Sequence, residues 1–251
     1  MKIFCREENS PLDSKMKEFH FKQFSICQDN AVWKVGTDGV VLGAWAKITG
    51  AENILDIGTG TGIIALMCAQ RNTEAEIDAL EIDENTADEA RRNADNSPWS
   101  ERIRIINSSI ETFKPDKTYD HIVSNPPYFI ESASTPSPDK KRRKARHCHA
   151  ALFEIIIDFS VRHTETNGKL SVVLPVAEAK IFLTMANIYG LYPSRITYLI
   201  PNPGKPVKRF LIELEKKEKT ETTIDRIIIE NFRNDYHPSY RSLTSEFHPH
   251  L

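Results

Sequence analysis

Asn53-Ile54-Leu55-Asp56-Ile57-Gly58-Thr59-Gly60-Thr61-Gly62 is a short apolar run that ends in a glycine-rich turn, and residues 63–70 follow with the wide apolar face of a helix. A buried strand entering a helix through glycines is a ready anion or nucleoside cradle. Glycine permits positive φ and close backbone approach, and the helix N-terminus offers unpaired N–H groups. Three of the ten glycines of the chain fall in this turn, more than a plain connection needs. The spacing is G-x-G-x-G, which departs from the G-x-G-x-x-G of dinucleotide sites. About 20 residues on, Glu81 ends the next strand, where a carboxylate can accept from both ribose hydroxyls of a nucleoside. Asp83 reads as the cap of the following helix. Asp56 could organise the amides of the turn or reach the ligand through water.

Outward from this unit the pattern alternates. Residues 77–82, 102–107 and 119–124 read as strands, and 85–96 as a helix with alanines inward and charges outward. Further on, 150–163 and 177–189 read as helices and 169–174 as a strand. Residues 195–200 and 208–214 form a closing strand pair around the turn Pro201-Asn202-Pro203-Gly204. From Asp225 a further strand and a short helix near 240–247 are expected. Upstream, Phe19-His20-Phe21-Lys22 alternates like a strand, and Thr37 or Asp38 is positioned to cap a short helix over 40–46. The fold class is therefore α/β, a mostly parallel sheet with helices on both faces and one antiparallel strand near an edge.

The 251 residues carry a formal net charge of −2, with 40% hydrophobic and 27% charged residues, so any nucleic-acid surface must be local. Cys5, Cys27, Cys68 and Cys148 show no CxxC pairing and read as reduced thiols, which suits a cytoplasmic protein. Residues 1–17 read as a flexible lead without a signal peptide, and no apolar run reaches the roughly 20 residues of a membrane span.

A second motif stands at the end of the 119–124 strand. Asn125-Pro126-Pro127-Tyr128 is stiffened by two prolines that lack N–H groups, so it presents mainly acceptors. The Asn125 amide oxygen and the Pro126 carbonyl can each accept one N–H of an exocyclic amine. Two fixed acceptors favour the pyramidal, nucleophilic nitrogen and stabilise the charge that develops on it. Tyr128 offers a flat face to a flipped-out base. Asn125, Pro126, Pro127 and Tyr128 are accordingly the candidate catalytic residues.

Together the two motifs resemble S-adenosylmethionine-dependent amino-methyltransferases. A closer likeness covers most of the chain. Phe21-Lys22-Gln23-Phe24, Lys34-Val35-Gly36-Thr37-Asp38-Gly39, Leu42-Gly43-Ala44-Trp45-Ala46, the glycine turn, Ser97-Pro98-Trp99, the segment 123–129 and Ala145-Arg146-His147 resemble the tRNA1(Val) (adenine(37)-N6)-methyltransferase family. The resemblance implies a Rossmann-like class I methyltransferase with a seven-stranded sheet. It implies an N-terminal lead and cap over residues 1–48 and a methyltransferase domain over 49–251. The expected cofactor is S-adenosyl-L-methionine, bordered by Asp56, Gly58, Thr59, Gly60, Gly62, Glu81, Ser109 and Asn125, with Gln28, Lys34, Thr37 and Asp38 from the cap. At Ser109 such enzymes often carry an acidic contact instead. The C-terminus, from Phe247, lacks the aromatic ending expected of the family.

Lys140, Lys141, Arg142, Arg143, Lys144 and Arg146 form the densest positive run, in a stretch (131–146) that reads as an exposed, mobile loop beside the amine-gripping motif. They are the candidate contacts to the tRNA backbone, together with Tyr128. Lys205, Lys208 and Arg209 read as ordinary solvated charge, and Phe232, Tyr236 and Tyr240 as core or edge packing. His147-Cys148-His149 lacks partners at zinc spacing, so no metal is expected. The expected enzyme is a monomer that methylates tRNA without membrane association. A protein-glutamine N5-methyltransferase, an rRNA or DNA amino-methyltransferase, and a non-catalytic RNA-binding module are the competing readings.

Overall fold

The computed structural model describes residues 18–29, 35–127, 139–218 and 221–249, the side chains of 139–149 excepted. In chain order the strands are β1 (Glu18–His20), β2 (Ser25–Cys27), β3 (Asn53–Ile57), β4 (Glu76–Glu81), β5 (Ile103–Asn107), β6 (Tyr119–Ser124), β7 (Thr164–Pro175), β8 (Tyr192–Ile200), β9 (Arg209–Glu215), β10 (Thr223–Ile228), β11 (Glu230–Phe232) and β12 (Asp235–Tyr236). The helices are α1 (Thr37–Trp45), α2 (Ile63–Arg71), α3 (Glu84–Asp95), α4 (Asp139–His163), α5 (Val176–Ile188) and α6 (Pro238–Thr244).

Eight strands form one sheet in the order β10-β8-β9-β7-β6-β3-β4-β5. Only β9 runs against its neighbours, antiparallel to both β7 and β8. The fold is the α/β class I arrangement expected, with one strand more than the seven implied by the resemblance. The extra strand is β10, which pairs parallel with β8 and closes that edge. Its Ile227 turns into the core while Ile224 stays half exposed, the pattern of an edge strand with one face covered.

Central strands are apolar on both sides because each face carries helices. Ile54 joins a core that includes α1, α2, Tyr240 and Phe247, whereas its neighbour Leu55 joins the opposite core with Phe153, Phe159 and Phe182. Helix α1 is seated firmly in the first of these. The Trp45 indole N–H donates to Thr197 Oγ1 (2.9 Å), and the Arg195 guanidinium stacks 3.6 Å over its ring. At Gly43 a Cβ would meet Met67 Sδ at 2.8 Å, so only glycine permits this approach of α1 to α2.

Several sequence expectations need correction. The basic run is helical from Asp139 onward, the first turns of α4 and not a loop. Lys, Arg and Ala are good helix formers, and no Gly or Pro interrupts them after Pro138. Helix α1 begins at Thr37 with Gly36 as its cap, so neither Thr37 nor Asp38 caps it. Phe21 lies beyond β1, whose antiparallel partner β2 was not foreseen. Phe232 is 69% exposed and does not pack in the core, whereas Tyr240 does. Residues 1–17, Lys34, Tyr128 and the segment 131–138 lie outside the described residues, as do the side chains of Lys140 to Arg146 and of Cys148.

Cys27 and Cys68 are free thiols, and burial pushes Cys68 up to about 12, which leaves it unreactive. Among the described residues no helix is long and apolar enough to cross a membrane. Among the same residues no three His, Cys, Asp or Glu side chains gather as metal ligands.

Candidate active site

A cavity of about 760 Å³ opens at the carboxyl ends of β3, β4 and β6, where open parallel sheets take their ligands. Its size falls in the range of small-molecule and cofactor sites. Residues 35–39 before and within α1, the glycine turn, the end of β4, residues 108–111 after β5 and residues 124–127 at the end of β6 converge on it, and α4, the end of β8, the start of β9 and Ile229 complete the wall.

Backbone hydrogen bonds position the turn. The Thr59 N–H donates to Leu80 O (2.8 Å) and Gly62 N–H to Thr59 O (3.0 Å), which ties the turn to β4 and closes it onto α2. Gly58 and Gly60 take φ +72° and +57°, and a Cβ at either would meet nothing within 4 Å. Glycine is needed there for its backbone, and the open space above it is the cradle itself. Gly62 caps α2 in the left-handed region at φ 84°.

Three acidic residues divide the work. Glu81 Oε2 accepts from Gly60 N (3.0 Å) and Oε1 from Asp83 N (3.0 Å), so its carboxylate is aimed before any ligand arrives and keeps lone pairs for one. Asp83 accepts from the Thr86 N–H (2.9 Å) and hydroxyl (2.7 Å), and these bonds hold its carboxyl below the usual range. It is the N-cap of α3, as its position suggested. Asp56 lies beneath the turn, fully buried and outside the cavity lining, where its Oδ2 accepts from Thr59 Oγ1 (2.6 Å). Its Oδ1 has no hydrogen-bond partner. Burial pushes the Asp56 carboxyl up to about 7, against the lowering effect of the Thr59 hydroxyl and the Ala65 N–H, while Glu81 adds to the rise.

Asn125 is held at the mouth by its neighbour, since the Ser124 hydroxyl donates to Ile57 O (2.9 Å) and pins the end of β6 to β3. The Asn125 side-chain oxygen is buried without a hydrogen-bond partner, and Gly39 of α1 lies close enough that its Cβ would come 3.9 Å from Asn125 Nδ2. A buried carbonyl left unpaired costs roughly 1–3 kcal/mol. Pro126 is buried and Pro127 exposed; both line the cavity.

Ser109 lines the cavity, with its hydroxyl 2.9 Å from Thr112 Oγ1. Thr37 and Asp38 line it too, and Asp38 Oδ2 accepts from Arg209 Nε (2.9 Å), a pair that clamps α1 to the start of β9. Gln28 stands outside the lining, where its Oε1 accepts from Val35 N (2.9 Å) and holds the approach to α1.

Two features escaped the sequence reading. Ile82, which the pattern places last in its strand, lies beyond β4, lines the cavity and is 72% exposed. Leu152, Ile155 and Ile156 of α4 make the apolar wall behind Asn125. The only signal for Ile82 was a large aliphatic immediately after Glu81.

These residues fit a nucleoside-bearing cationic methyl donor. The cradle is open over Gly58 and Gly60, Glu81 is aimed, and an unpartnered carboxyl oxygen lies beneath the turn. A family model described as methyltransferase small domain matches residues 41–186. The chain is 43% identical to the tRNA1(Val) (adenine(37)-N6)-methyltransferase of Flavobacterium johnsoniae, over 92% of its own length and 98% of the relative's. It is 44% identical to the protein of the same name from Trichodesmium erythraeum, over 92% of itself and 97% of that chain. A solved structure described as a predicted O-methyltransferase, from Agrobacterium tumefaciens, shares the fold with a TM-score of 0.67 at 22% identity, over 84% of this chain and 96% of that one. Two relatives matched nearly end to end, on a fold with this cradle, carry the assignment: the chain belongs to the tRNA1(Val) (adenine(37)-N6)-methyltransferase family of S-adenosylmethionine-dependent class I enzymes.

Proposed function

We propose that this chain methylates the exocyclic N6 amine of an adenosine in tRNA, position 37 of tRNA1(Val), with Asn125, Pro126, Pro127 and Tyr128 as the residues that receive the amine. The observation that carries the reading is the buried, unpartnered oxygen of Asn125 at the end of β6. An acceptor kept dry and unpaired is poised for a donor that arrives with the substrate. An adenine amine brings two N–H groups, one for Asn125 Oδ1 and one for the Pro126 carbonyl.

S-adenosylmethionine supplies an electrophilic methyl group on a cationic sulfur. The work of the protein is then electrostatic. Asn125 and Pro126 hold the amine pyramidal and stabilise positive charge on nitrogen, and no strong base is needed before transfer because the proton leaves afterwards. Glu81 is the ribose acceptor in this reading. Gly58, Thr59, Gly60 and Gly62 form the cradle that Asp56 supports, Ser109 and Ile82 border the purine, and Lys34, Thr37 and Asp38 approach from the N-terminal side. Residues 1–48 act as lead and cap and 49–251 as the methyltransferase domain. The cavity lining by 35–39 supports the cap. The basic run Lys140 to Arg146 contacts the tRNA backbone. It stands about two helical turns ahead of Leu152, which lines the cavity on the same helix. A monomer in the cytoplasm suits this role.

The test is transfer of labelled methyl from S-adenosylmethionine to total tRNA, DNA and protein extract offered separately. Label in tRNA that digests to N6-methyladenosine is expected; label in protein would mean glutamine chemistry by the same two acceptors. Asn125→Ala should lower kcat by roughly 10²–10³ with cofactor affinity unchanged, and unaltered kcat would remove Asn125 from the catalytic set.

A further inference from the structure

We propose that Phe232, on the β11–β12 hairpin, is a stacking platform for an unpaired base of the RNA substrate, a few nucleotides from the one that is methylated. The inference rests on the RNA reading above and adds a site to it.

Five large hydrophobic side chains are exposed among the described residues: Ile82, Ile181, Ile188, Ile224 and Phe232. Ile82 belongs to the cavity. Phe232 is the one aromatic ring among the five, and it is 69% exposed.

The hairpin that carries it stands at the edge of the cavity. Strand β10 runs parallel to β8, so its carboxyl end opens on the same side as the cavity. Ile229, directly after β10, lines the cavity, as do Leu199 and Pro201 at the end of β8. The hairpin is fastened there. Ile229 N–H donates to Ile200 O (2.9 Å), Glu230 N–H to Pro201 O (3.0 Å) and His237 N–H to Ile229 O (2.9 Å). Phe232 is three residues beyond Ile229.

The ring is presented by a braced scaffold. The turn between Phe232 and Asp235 is two residues long, with Asn234 in the left-handed region at φ 66°. Asn231 Nδ2 donates to Asp235 Oδ2 (2.8 Å), and Arg241 ties Asp235 Oδ1 (3.2 Å) and Tyr236 O (2.8 Å) back to α6. Behind them Tyr236 stacks on Tyr240 with centroids 5.0 Å apart. The irregularity between Glu230 and Phe232 is a bulge, the device that re-aims a side chain out of its strand. A ring held in water by this much local structure loses little freedom on meeting a partner, which is the condition for a recognition anchor. Beside it, Arg233 is exposed, and Lys205 and Lys208 are exposed on the turn to which the hairpin is bonded. The acids of the same hairpin are Glu230 and Asp235, the second already held by Arg241. A flat exposed ring with Arg233 beside it in the chain and two exposed lysines on the adjoining turn, next to a methyl-transfer cavity, suits a base and its phosphates better than an apolar protein surface.

Three purified full-length proteins test this: the unaltered chain, Phe232→Ala and Phe232→Trp, with tRNA as substrate. Phe232→Ala is expected to raise KM for tRNA about tenfold, equivalent to about 1.4 kcal/mol, with kcat and the cofactor Kd unchanged. Phe232→Trp is expected to restore KM, and its added indole fluorescence should be quenched by tRNA beyond the response of the unaltered chain. Ile188→Ala, on the far side of the fold and 77% exposed, should leave every constant in place. Unchanged KM in Phe232→Ala, or a Phe232→Trp protein as weak as the alanine variant, would overturn the proposal. So would an oligomer that dissociates on Phe232→Ala, since the ring would then cover a second copy. If the unaltered chain transfers no methyl to tRNA, the functional reading falls with it; if transfer is intact and KM does not move, only this inference falls.

Discussion

Asp78 and Asp56 are both buried carboxylates on neighbouring strands of the sheet, and the protein treats them in opposite ways. Asp78, near the start of β4, takes two hydrogen bonds from Arg104 (2.8 and 3.0 Å) and one from the Tyr119 hydroxyl (2.8 Å), with Lys117 at 3.5 Å. Burial alone would raise its pKa, but these partners outweigh burial and hold it below the usual range. Asp56, near the end of β3, has only neutral help, from the Thr59 hydroxyl and then the Ala65 N–H, with one oxygen that makes no full hydrogen bond, and burial pushes its pKa up to about 7. A second pair repeats the contrast. Glu213, far from the cavity, is surrounded by Arg195, Lys169 and Ser194, whereas Asn125 at the cavity keeps an unpaired oxygen. The contrast is not a rule of the whole molecule, since Gln70 Oε1 and Arg195 Nε are also buried without a partner and neither lines the cavity. Asn125 and Asp56 stand apart because each lies at the end of a strand that opens on the cavity, where an incoming donor or cation can reach.

The largest expected effect lies at the satisfied end. Asp78→Ala strands the Tyr119 hydroxyl, which is fully buried, and removes the partner of Arg104. The outer part of Arg104 faces water, so the ion pair itself contributes modestly, and most of the cost is the orphaned hydroxyl and the cavity. A loss of about 3 kcal/mol is expected by denaturant unfolding, with kcat per folded molecule retained. A loss of turnover without loss of stability would break the comparison.

At the unsatisfied end the sign reverses and depends on pH. The pKa of Asp56 is about 7 in the native protein against about 3.9 for an unperturbed Asp. Below about pH 4 both states are protonated and the group contributes nothing. Between there and pH 7 the unfolded chain gives up a proton that the native chain keeps, so Asp56 subtracts stability progressively, and above 7 the penalty is constant. Asp56→Asn should therefore gain on the unaltered chain as pH rises from 5 to 8, by an amount on the order of 2 kcal/mol, read as the difference between two urea midpoints. The cationic cofactor should act the other way, since it favours the charged carboxylate. Affinity for S-adenosylmethionine is expected to rise through pH 7 in the unaltered chain and to stay flat in Asp56→Asn. Parallel curves would mean that Asp56 does not sense the ligand.

How much of this contrast was legible follows from its range along the chain. Strands β3 and β6 were read to the residue, because compact apolar runs end at glycine and at Asn-Pro-Pro, signals that are local. The position of the glycine turn, Glu81 and Asn125 at the cavity was legible for the same reason, since each stands at a strand end. The basic run was misread because Ser and Pro before it suggested a loop, whereas helix propensity inside it prevailed. What no local pattern could show is pairing at a distance: Asp38 with Arg209, 171 residues apart, or Trp45 with Thr197 and Arg195. The unpaired state of the Asn125 and Asp56 oxygens is likewise a property of everything packed around them.

The finest test sets two neighbours at the cavity end against each other. Glu81 and Asp83 are two residues apart, and both line the cavity. Glu81 spends each oxygen on one backbone N–H and has lone pairs left, whereas Asp83 directs one oxygen at two Thr86 donors to start α3. Glu81→Gln keeps the size and an acceptor but loses the charge and one acceptor, so cofactor affinity should fall about tenfold, or about 1.4 kcal/mol, with little change in Tm. Asp83→Ala should do the converse. The helix loses its cap, Tm drops by a few degrees, roughly the price of one N-cap, and cofactor affinity moves much less than in Glu81→Gln. If Asp83→Ala instead weakened the cofactor as much as Glu81→Gln while Tm held, Asp83 would belong with the ligand-seeking groups. The division between satisfied and unsatisfied carboxylates would then follow the cavity wall rather than the hydrogen bonds each makes.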